Sequence, residues 1–441
     1  VKERRWFVTV MAVLLNGLLA LGGSGEAADR VYIDITQPSF ERLPIAVPSF
    51  KWDNQEASAV STEAAEALSR ALDFSGLFRP LDPRGFLDDP QQMGIALEEI
   101  QFPVWRRLGA EFLVRGRCRV TGDGIEMEMR LFDVVASRQV VGKIYEGRRE
   151  DWREMVYRFA DEILLALTGE RGVFGTKIAY VQMEGQSKEI YLMDFDGSNP
   201  IAVTRDNSVN LSPAWSPDGS QLAYVSYVEG PPKVFAMNLR TGTRRLLFGF
   251  PGLNITPAWR PGARELAATL SKDGNPDIFL VSDSGEVLRP LVKTWAIEVS
   301  PSWSPQGDRF AYVSNETGNP QIYVADADGG RGRRITFEGN YNTSPSWSPK
   351  GDWIAYSSLR DGRHDIFVIR PDGSEFRRLT HGEGDNEAPS WSPDGRMLAF
   401  SSTRDGGAPA VWVMLANGES VRRLTRGGGR QELPRWSPRF D

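Results

Sequence analysis

Residues with obvious chemical potential are few in this chain of 441 amino acids. Its only histidines are His364 and His381, and its only cysteine is Cys118. A nucleophilic hydrolase needs a hydroxyl or thiol held against a histidine that a carboxylate orients. No Gly-x-Ser-x-Gly turn occurs, and the two histidines stand beside turns in different stretches, with no hydroxyl marked as a partner. Cys118 belongs to the alternation Phe112, Val114, Gly116, Cys118, Val120, with Arg115, Arg117 and Arg119 on the opposite face. That pattern reads as a small buried strand residue rather than a reactive thiol. Asp194-Phe-Asp-Gly and Asp326-Ala-Asp-Gly each offer two carboxylates where a calcium loop uses more, so hairpin turns are the better reading. The basic pairs Arg244–Arg245, Arg333–Arg334, Arg377–Arg378 and Arg422–Arg423 could hold phosphates, but charged protection of edge strands suits them better. The formal net charge of −6 supplies no basic field, so no nucleic-acid partner is expected.

The elements that position these residues repeat. Tryptophans fall at Trp215, Trp259, Trp303, Trp347, Trp391 and Trp436, 44 residues apart until a last interval of 45. Each sits in a variant of Ser-Pro-x-Trp-Ser-Pro-x-Gly, as in Ser212–Gly219 and Ser344–Gly351. This period is the length of a four-stranded propeller blade. Within a repeat, the tryptophan segment is a first strand, and Ser-Pro-Asp-Gly is a type I turn. Leu222–Ser226 or Phe310–Ser314 forms a second strand, and Asp277–Val281 or Gln321–Ala325 a third. After an Asp-Gly, Thr-Gly or Asn-Gly turn comes an Arg-Arg-Leu-Thr type fourth strand. Second strands begin at Ile178, before the first tryptophan, whereas Trp436 has no blade after it. Pairing the two ends closes a six-bladed ring and removes its open edges. The tryptophans are then core between blades.

Segments entering the first strands line one mouth of that ring. Five places before each tryptophan stand Asn210, Asn254, Glu298, Asn342, Asn386 and Gln431, a polar ring that either caps backbone or meets a ligand. The flanking pairs are Val209 and Leu211, Leu253 and Ile255, Ile297 and Val299, then Tyr341 and Thr343, Asp385 and Glu387, Arg430 and Glu432. One half of the mouth is thus apolar and the other charged, as in a protein-docking surface.

Ahead of the ring, residues 28–170 read as a small α+β domain. Val31–Ile35 and Pro44–Phe50 suggest strands, Ala57–Leu72 a helix ended at Gly76, and Ile95–Leu108 a helix interrupted by Pro103. Three antiparallel strands follow over Ala110–Thr121, Ile125–Val134 and Gln139–Glu146, and an amphipathic helix over Trp152–Leu167. Lys2, Arg4 and Arg5, a short apolar run and the small residues Gly25 and Ala27 suggest an export signal over residues 1–27. The propeller takes residues 171–441, giving a mainly β chain: a six-bladed β-propeller preceded by a small α+β domain.

Several stretches are similar to the TolB family of the Tol-Pal system of Gram-negative bacteria. They are Pro44-Ile-Ala-Val, Ser75-Gly-Leu-Phe-Arg-Pro-Leu-Asp82, Leu108-Gly-Ala, Leu167-Thr-Gly, Lys177-Ile-Ala-Tyr-Val, the Trp-Ser-Pro-Asp-Gly blades and the final Trp436-Ser-Pro. The blade motif is shared by several propellers, and the N-terminal pieces make the resemblance specific. It implies a monomeric, non-enzymatic periplasmic hub that holds the lipoprotein Pal at the propeller mouth. The implied Pal contacts are Asn210, Leu211, Leu253, Asn254, Ile255, Glu298, Val299, Asn342, Thr343, Asn386, Glu387 and Glu432. It further implies that TolA engages the segment Asp29, Arg30, Val31, Tyr32, Ile33, Asp34 and Ile35, with the two sites linked and the system drawing the outer membrane inward at division. Leu253 and Val299 are more apolar than the family's usual mouth residues. No cofactor is expected, and a divalent cation in the channel stays open. A propeller binding glycan or peptide in its channel, or a hydrolase with an unmarked site, are the alternative readings.

Overall fold

A computed structural model describes residues 41–86, 89, 91, 92 and 94–440. The proposed export signal and the Asp29–Ile35 segment lie outside the described residues.

The N-terminal domain is a twisted mixed sheet. Its strands run in the order Phe78–Pro80, Leu43–Ala46, Phe112–Thr121, Gly124–Asp133, Arg138–Arg148, with Lys51–Trp52 also pairing the long Phe112–Thr121 strand. Helices α1 (Ser58–Phe74) and α3 (Trp152–Thr168) cover one face. Their buried residues recur at helical spacing, Val60, Ala64, Leu68 and Ala71 in one and Val156, Phe159, Ile163 and Leu167 in the other. They meet Cys118, Met127, Met129 and Leu131 on the sheet. The short α2 (Phe102–Arg107) lies over the other face, where Trp105 is fully buried against Leu113 and Phe132. Pro103 does not interrupt a long helix there. It stands in the first turn of α2, where its missing N–H has no intrahelical acceptor to lose.

The propeller comprises six four-stranded antiparallel sheets. Blade 2 runs Asn210–Trp215, Gln221–Ser226, Lys233–Asn238 and Arg244–Phe248, and blades 3 to 6 repeat that order. Second and third strands are almost wholly buried because each sheet has a neighbouring blade on both faces. Continuous apolar runs such as Leu222–Val225 and Ile278–Val281 therefore replace the alternation of a half-exposed strand. Blade 1 takes its innermost strand, Gln431–Trp436, from the far end of the chain and pairs it with Lys177–Glu184. The closure expected from the offset between tryptophans and second strands is the one observed.

Two belts join the blades. Near the axis, the indole N–H groups of Trp215, Trp303 and Trp391 donate to the carbonyls of Arg435, Ala258 and Ser346 in the preceding blade, at 2.9, 3.1 and 3.0 Å. At the outer rim, Nη1 of Arg245, Arg289 and Arg333 each donates at 2.8 Å to the next blade's Asp283, Asp328 and Asp372 carbonyls. The fourth-strand arginines thus fasten blade to blade. Gly285 completes one such joint. Its φ of +94° and a Cβ position 1.9 Å from the Leu247 carbonyl oxygen admit no side chain.

Every innermost strand also carries a β-bulge whose central residue is left-handed: Ser212, Thr256, Ser300, Ser344, Ala388 and Leu433, at φ +50° to +57°. None is glycine, and the conformation is costly for a β-branched or bulky residue. Shared interblade bonds hold it, such as Ala388 N–H to Ser357 Oγ at 3.0 Å and Leu433 N–H to Ser401 Oγ at 3.0 Å.

The two domains share one core. Phe195, from a hairpin turn of blade 1, is fully buried among Phe74 of α1, Tyr157 of α3 and Phe174, with ring centroids 5.0 to 5.3 Å apart in edge-on geometry. Asp73 at the end of α1 accepts from Arg42 at 2.6 Å and from Arg422 of blade 6 at 2.8 Å. Left-handed Gly76 lets the same helix end press on Leu415.

Candidate functional site at the propeller mouth

The N-terminal domain packs on the end of the propeller that carries the Ser-Pro-x-Gly turns: Glu170 faces Lys350 and Arg396 there. The loops joining second to third strands, and those joining one blade to the next, lie at the other end. That mouth is free of the described N-terminal domain.

The polar ring at this mouth is structural. Asn210, Asn254, Glu298, Asn342 and Asn386 are fully buried and Gln431 nearly so. Nδ2 of Asn254 donates to the carbonyls of Phe250 at 2.7 Å and Pro232 at 3.1 Å. Nδ2 of Asn342 reaches Gln321 Oε1 at 2.8 Å and the Glu338 carbonyl at 2.9 Å. Asn210 reaches Glu189 and Asp206, Asn386 reaches Asp365, and Gln431 reaches the carbonyls of Gly427 and Gly428. Each amide ties the loop entering a first strand to the previous blade's third strand or to the loop itself. Of the two readings of the ring, capping is what its hydrogen bonds perform, because a buried amide must satisfy its donors internally. The side chains that reach solvent at this mouth are the flanking ones.

Those flanks are where the side chains emerge. Leu253, Ile297 and Tyr341 are exposed, while Leu211, Ile255, Val299 and Thr343 are half-buried below them. Three more aromatics join the same face. Trp295 is 75% exposed and Phe337 70% exposed, both on loops between blades, and Tyr227 begins a loop of blade 2. Tyr227, Leu253, Trp295, Ile297, Phe337 and Tyr341 form an apolar arc across blades 2 to 5. Trp295 and Phe337 escape sequence reasoning because they occupy no recurring position: the equivalent places elsewhere hold Asn207 and Arg205 in one repeat, and Glu383 and His381 in another.

The rest of the mouth is charged. His364 Nδ1 lies 3.7 Å from Asp385 and 3.5 Å from the exposed Glu387, and its ring meets Tyr341 edge-on at 6.1 Å. Glu432 binds Lys188 at 2.5 Å and Arg430 at 3.4 Å. Arg404 stacks on Phe400 and Trp412 and donates to Asn386 Oδ1 at 3.1 Å. Among the described residues no group of three or more histidine, cysteine, aspartate or glutamate side chains is placed to hold a metal ion. Asp194 accepts from Lys177 of the neighbouring strand and from Asn199 of its own turn, and Asp196 from Ser198.

One position of the ring departs from the others. Glu298 replaces the amide and faces Asp277 of blade 3, also fully buried. Burial, and then the facing Asp277 carboxyl, push the Glu298 carboxyl up to about 7, while hydrogen bonds from Thr294 and Ser314 pull it down. Asp277 is pushed up as well, chiefly by burial.

Comparison with known proteins agrees with this architecture. The family described as TolB beta propeller domain matches residues 165–359 and 342–441, and TolB amino-terminal domain matches residues 31–140. Tol-Pal system protein TolB of Desulfosudis oleivorans is 44% identical over 223 residues, 50% of this chain and 51% of that protein. The protein of the same name from Paramagnetospirillum magneticum is 35% identical over 240 residues, 53% of each. The chain thus spans about half the length of the curated relatives it matches. The crystal structure of TolB from Acinetobacter baumannii superposes with a TM-score of 0.79 at 28% identity, covering 90% of this chain and 97% of that one. With both domains matched and the propeller accounting for more than half of the sequence, the chain belongs to the TolB family.

Proposed function

We propose that this protein is a non-catalytic periplasmic docking hub of the Tol-Pal system. It holds the lipoprotein Pal at the propeller mouth and TolA through Asp29–Ile35, and so supports outer-membrane integrity and invagination during division. The observation that carries the reading is the apolar arc. Six large side chains emerge together at the end of the ring away from the N-terminal domain, beside an acidic sector around Asp385 and Glu387. Several large exposed apolar side chains on one face, beside charged groups, favour a protein partner over a glycan, which would want hydroxyl-matched polar groups. Relatives that carry the name Tol-Pal system protein TolB support the choice of partners.

The test is capture of partners by the full chain and by a form lacking residues 29–36. Retention of Pal by both forms, with TolA lost on truncation, is the expected result. Enrichment of glycan with neither protein, or loss of Pal on truncation, would overturn it.

A further inference from the structure

In three interblade joints an acid or amide on a third strand accepts from the ring asparagine of the next blade: Glu189 from Asn210, Gln321 from Asn342, Asp365 from Asn386. Between blades 3 and 4 the same joint is made by two carboxyls, Asp277 and Glu298. Two facing carboxylates without a cation repel, so the joint holds only when one oxygen keeps a proton and donates it to the other. Glu298 Oε2 is buried without a hydrogen-bond donor, as are the ring oxygens Asn210 Oδ1 and Asn342 Oδ1, but on Glu298 that oxygen belongs to a carboxyl facing another carboxyl.

This joint is tied to the docking surface through one residue. The Thr294 N–H donates to Asp277 Oδ1 at 3.3 Å and its hydroxyl to Glu298 Oε1 at 2.6 Å. Trp295 follows Thr294, and Ile297 precedes Glu298. The two most central side chains of the apolar arc therefore ride on a loop whose ends are both held by the pair. We propose that Asp277 and Glu298 form a proton-dependent latch for the Thr294–Glu298 loop, so that the mouth binds its partner more tightly in mildly acid than in mildly alkaline solution. This rests on mouth docking as proposed above.

The surroundings set the direction. Facing the pair are Lys293 on the same loop, Asp273 on the adjoining turn of blade 3 and Tyr312 on the blade 4 side, with Lys272 and Arg331 farther out on Asp273 and Glu316. Asp273 takes up both lysines, at 2.7 and 2.9 Å, and Glu316 takes up Arg331 at 2.7 Å. Lys293 still favours the ionised Asp277, and burial of the pair outweighs it. Because the carboxyl is raised in the folded protein, its contribution is complete below the ordinary glutamate value of 4.5 and is lost as pH rises through about 7.

The experiment is titration calorimetry of the full chain against the periplasmic domain of the cognate Pal at pH 5.5 and 8.5, for wild type, Glu298→Asn and Glu298→Gln. Asparagine occupies this ring position in four other blades, so Glu298→Asn folds with the ordinary joint. Hydrogen exchange of the 294–297 amides, taken as the ratio of wild type to Glu298→Asn at each pH, reads the loop without a partner. Wild-type affinity is expected to fall about tenfold between the two pH values, the equivalent of one pKa unit, relative to both variants. The exchange ratio is expected to rise over the same interval. Parallel pH profiles in wild type and variants, with a constant exchange ratio, would overturn the latch. Failure of wild type to bind Pal at either pH would instead overturn the docking reading, and the exchange ratio would still decide the latch.

Discussion

Truncating Trp295 to alanine should remove one anchor of the mouth without touching the fold. Its ring is 75% exposed. The loop is held by its neighbours: Thr294 binds the buried carboxyls, and Ala296 is buried. An aromatic side chain buries about 150–250 Å² when covered. Three quarters of the upper figure, at about 25 cal/mol per Å², gives an upper limit of about 4–5 kcal/mol. Ordering the loop and leaving a methyl group behind bring the expected loss to about 2–4 kcal/mol, the range of an interface hot spot. Affinity for Pal should therefore drop by about 30-fold to 1,000-fold by calorimetry or biolayer interferometry. Thermal unfolding should move by no more than about 0.5 kcal/mol. Phe376, 47% exposed on an outer strand of blade 5, is the matched control, and its alanine variant should bind as wild type. A Trp295→Ala variant that loses less than threefold, or no more than Phe376→Ala, would refute the assignment of the arc as the docking face.

Phe195→Ala should cost about 3–5 kcal/mol, because it empties the aromatic joint between the domains. Calorimetric melting should then resolve two transitions where wild type shows one. Arg333→Ala gives up the bonds to the Asp372 and Pro371 carbonyls and should lower stability by about 1–2 kcal/mol in urea titration, with no change in partner affinity. Burial pushes the Cys118 thiol up to about 11, so Ellman's reagent at pH 8 should find no reactive thiol in the native protein and one after unfolding in guanidinium.

Sequence revealed most where repetition forced agreement between positions. The tryptophan interval defines blade length, and its offset from the second strands implies which ends must pair. The ring of Asn210, Asn254, Asn342 and Asn386 was visible but ambiguous, since a buried cap and an exposed contact ask for the same amide. Only burial and hydrogen-bond partners separate them. The left-handed bulges were hidden because Thr256, Ala388 and Leu433 are residues that local preference places elsewhere, and bonds from the neighbouring blade override it. Pro103 looked like a helix breaker because a proline in an apolar run fits the first turn as well as an interruption. Trp295 and Phe337 went unnoticed for a different reason. A docking face is built from side chains that the repeat leaves free, so periodicity carries no signal for them.

The seam in blade 1 has a consequence for how the molecule comes to be assembled. Lys177 N–H bonds Ser437 Oγ across 260 positions of chain, whereas each other blade zips from strands within one repeat. By loop-closure entropy, joining ends that far apart costs about 1.6 kcal/mol more than closing one repeat. Blades 2 to 6 can therefore form in succession while Lys177–Glu184 waits with a bare edge. The last strand to fold decides at once whether the ring, and the core it shares with the N-terminal domain, is complete. Refolding should show a slow final phase, reported by burial of Trp436, after most β structure has already appeared.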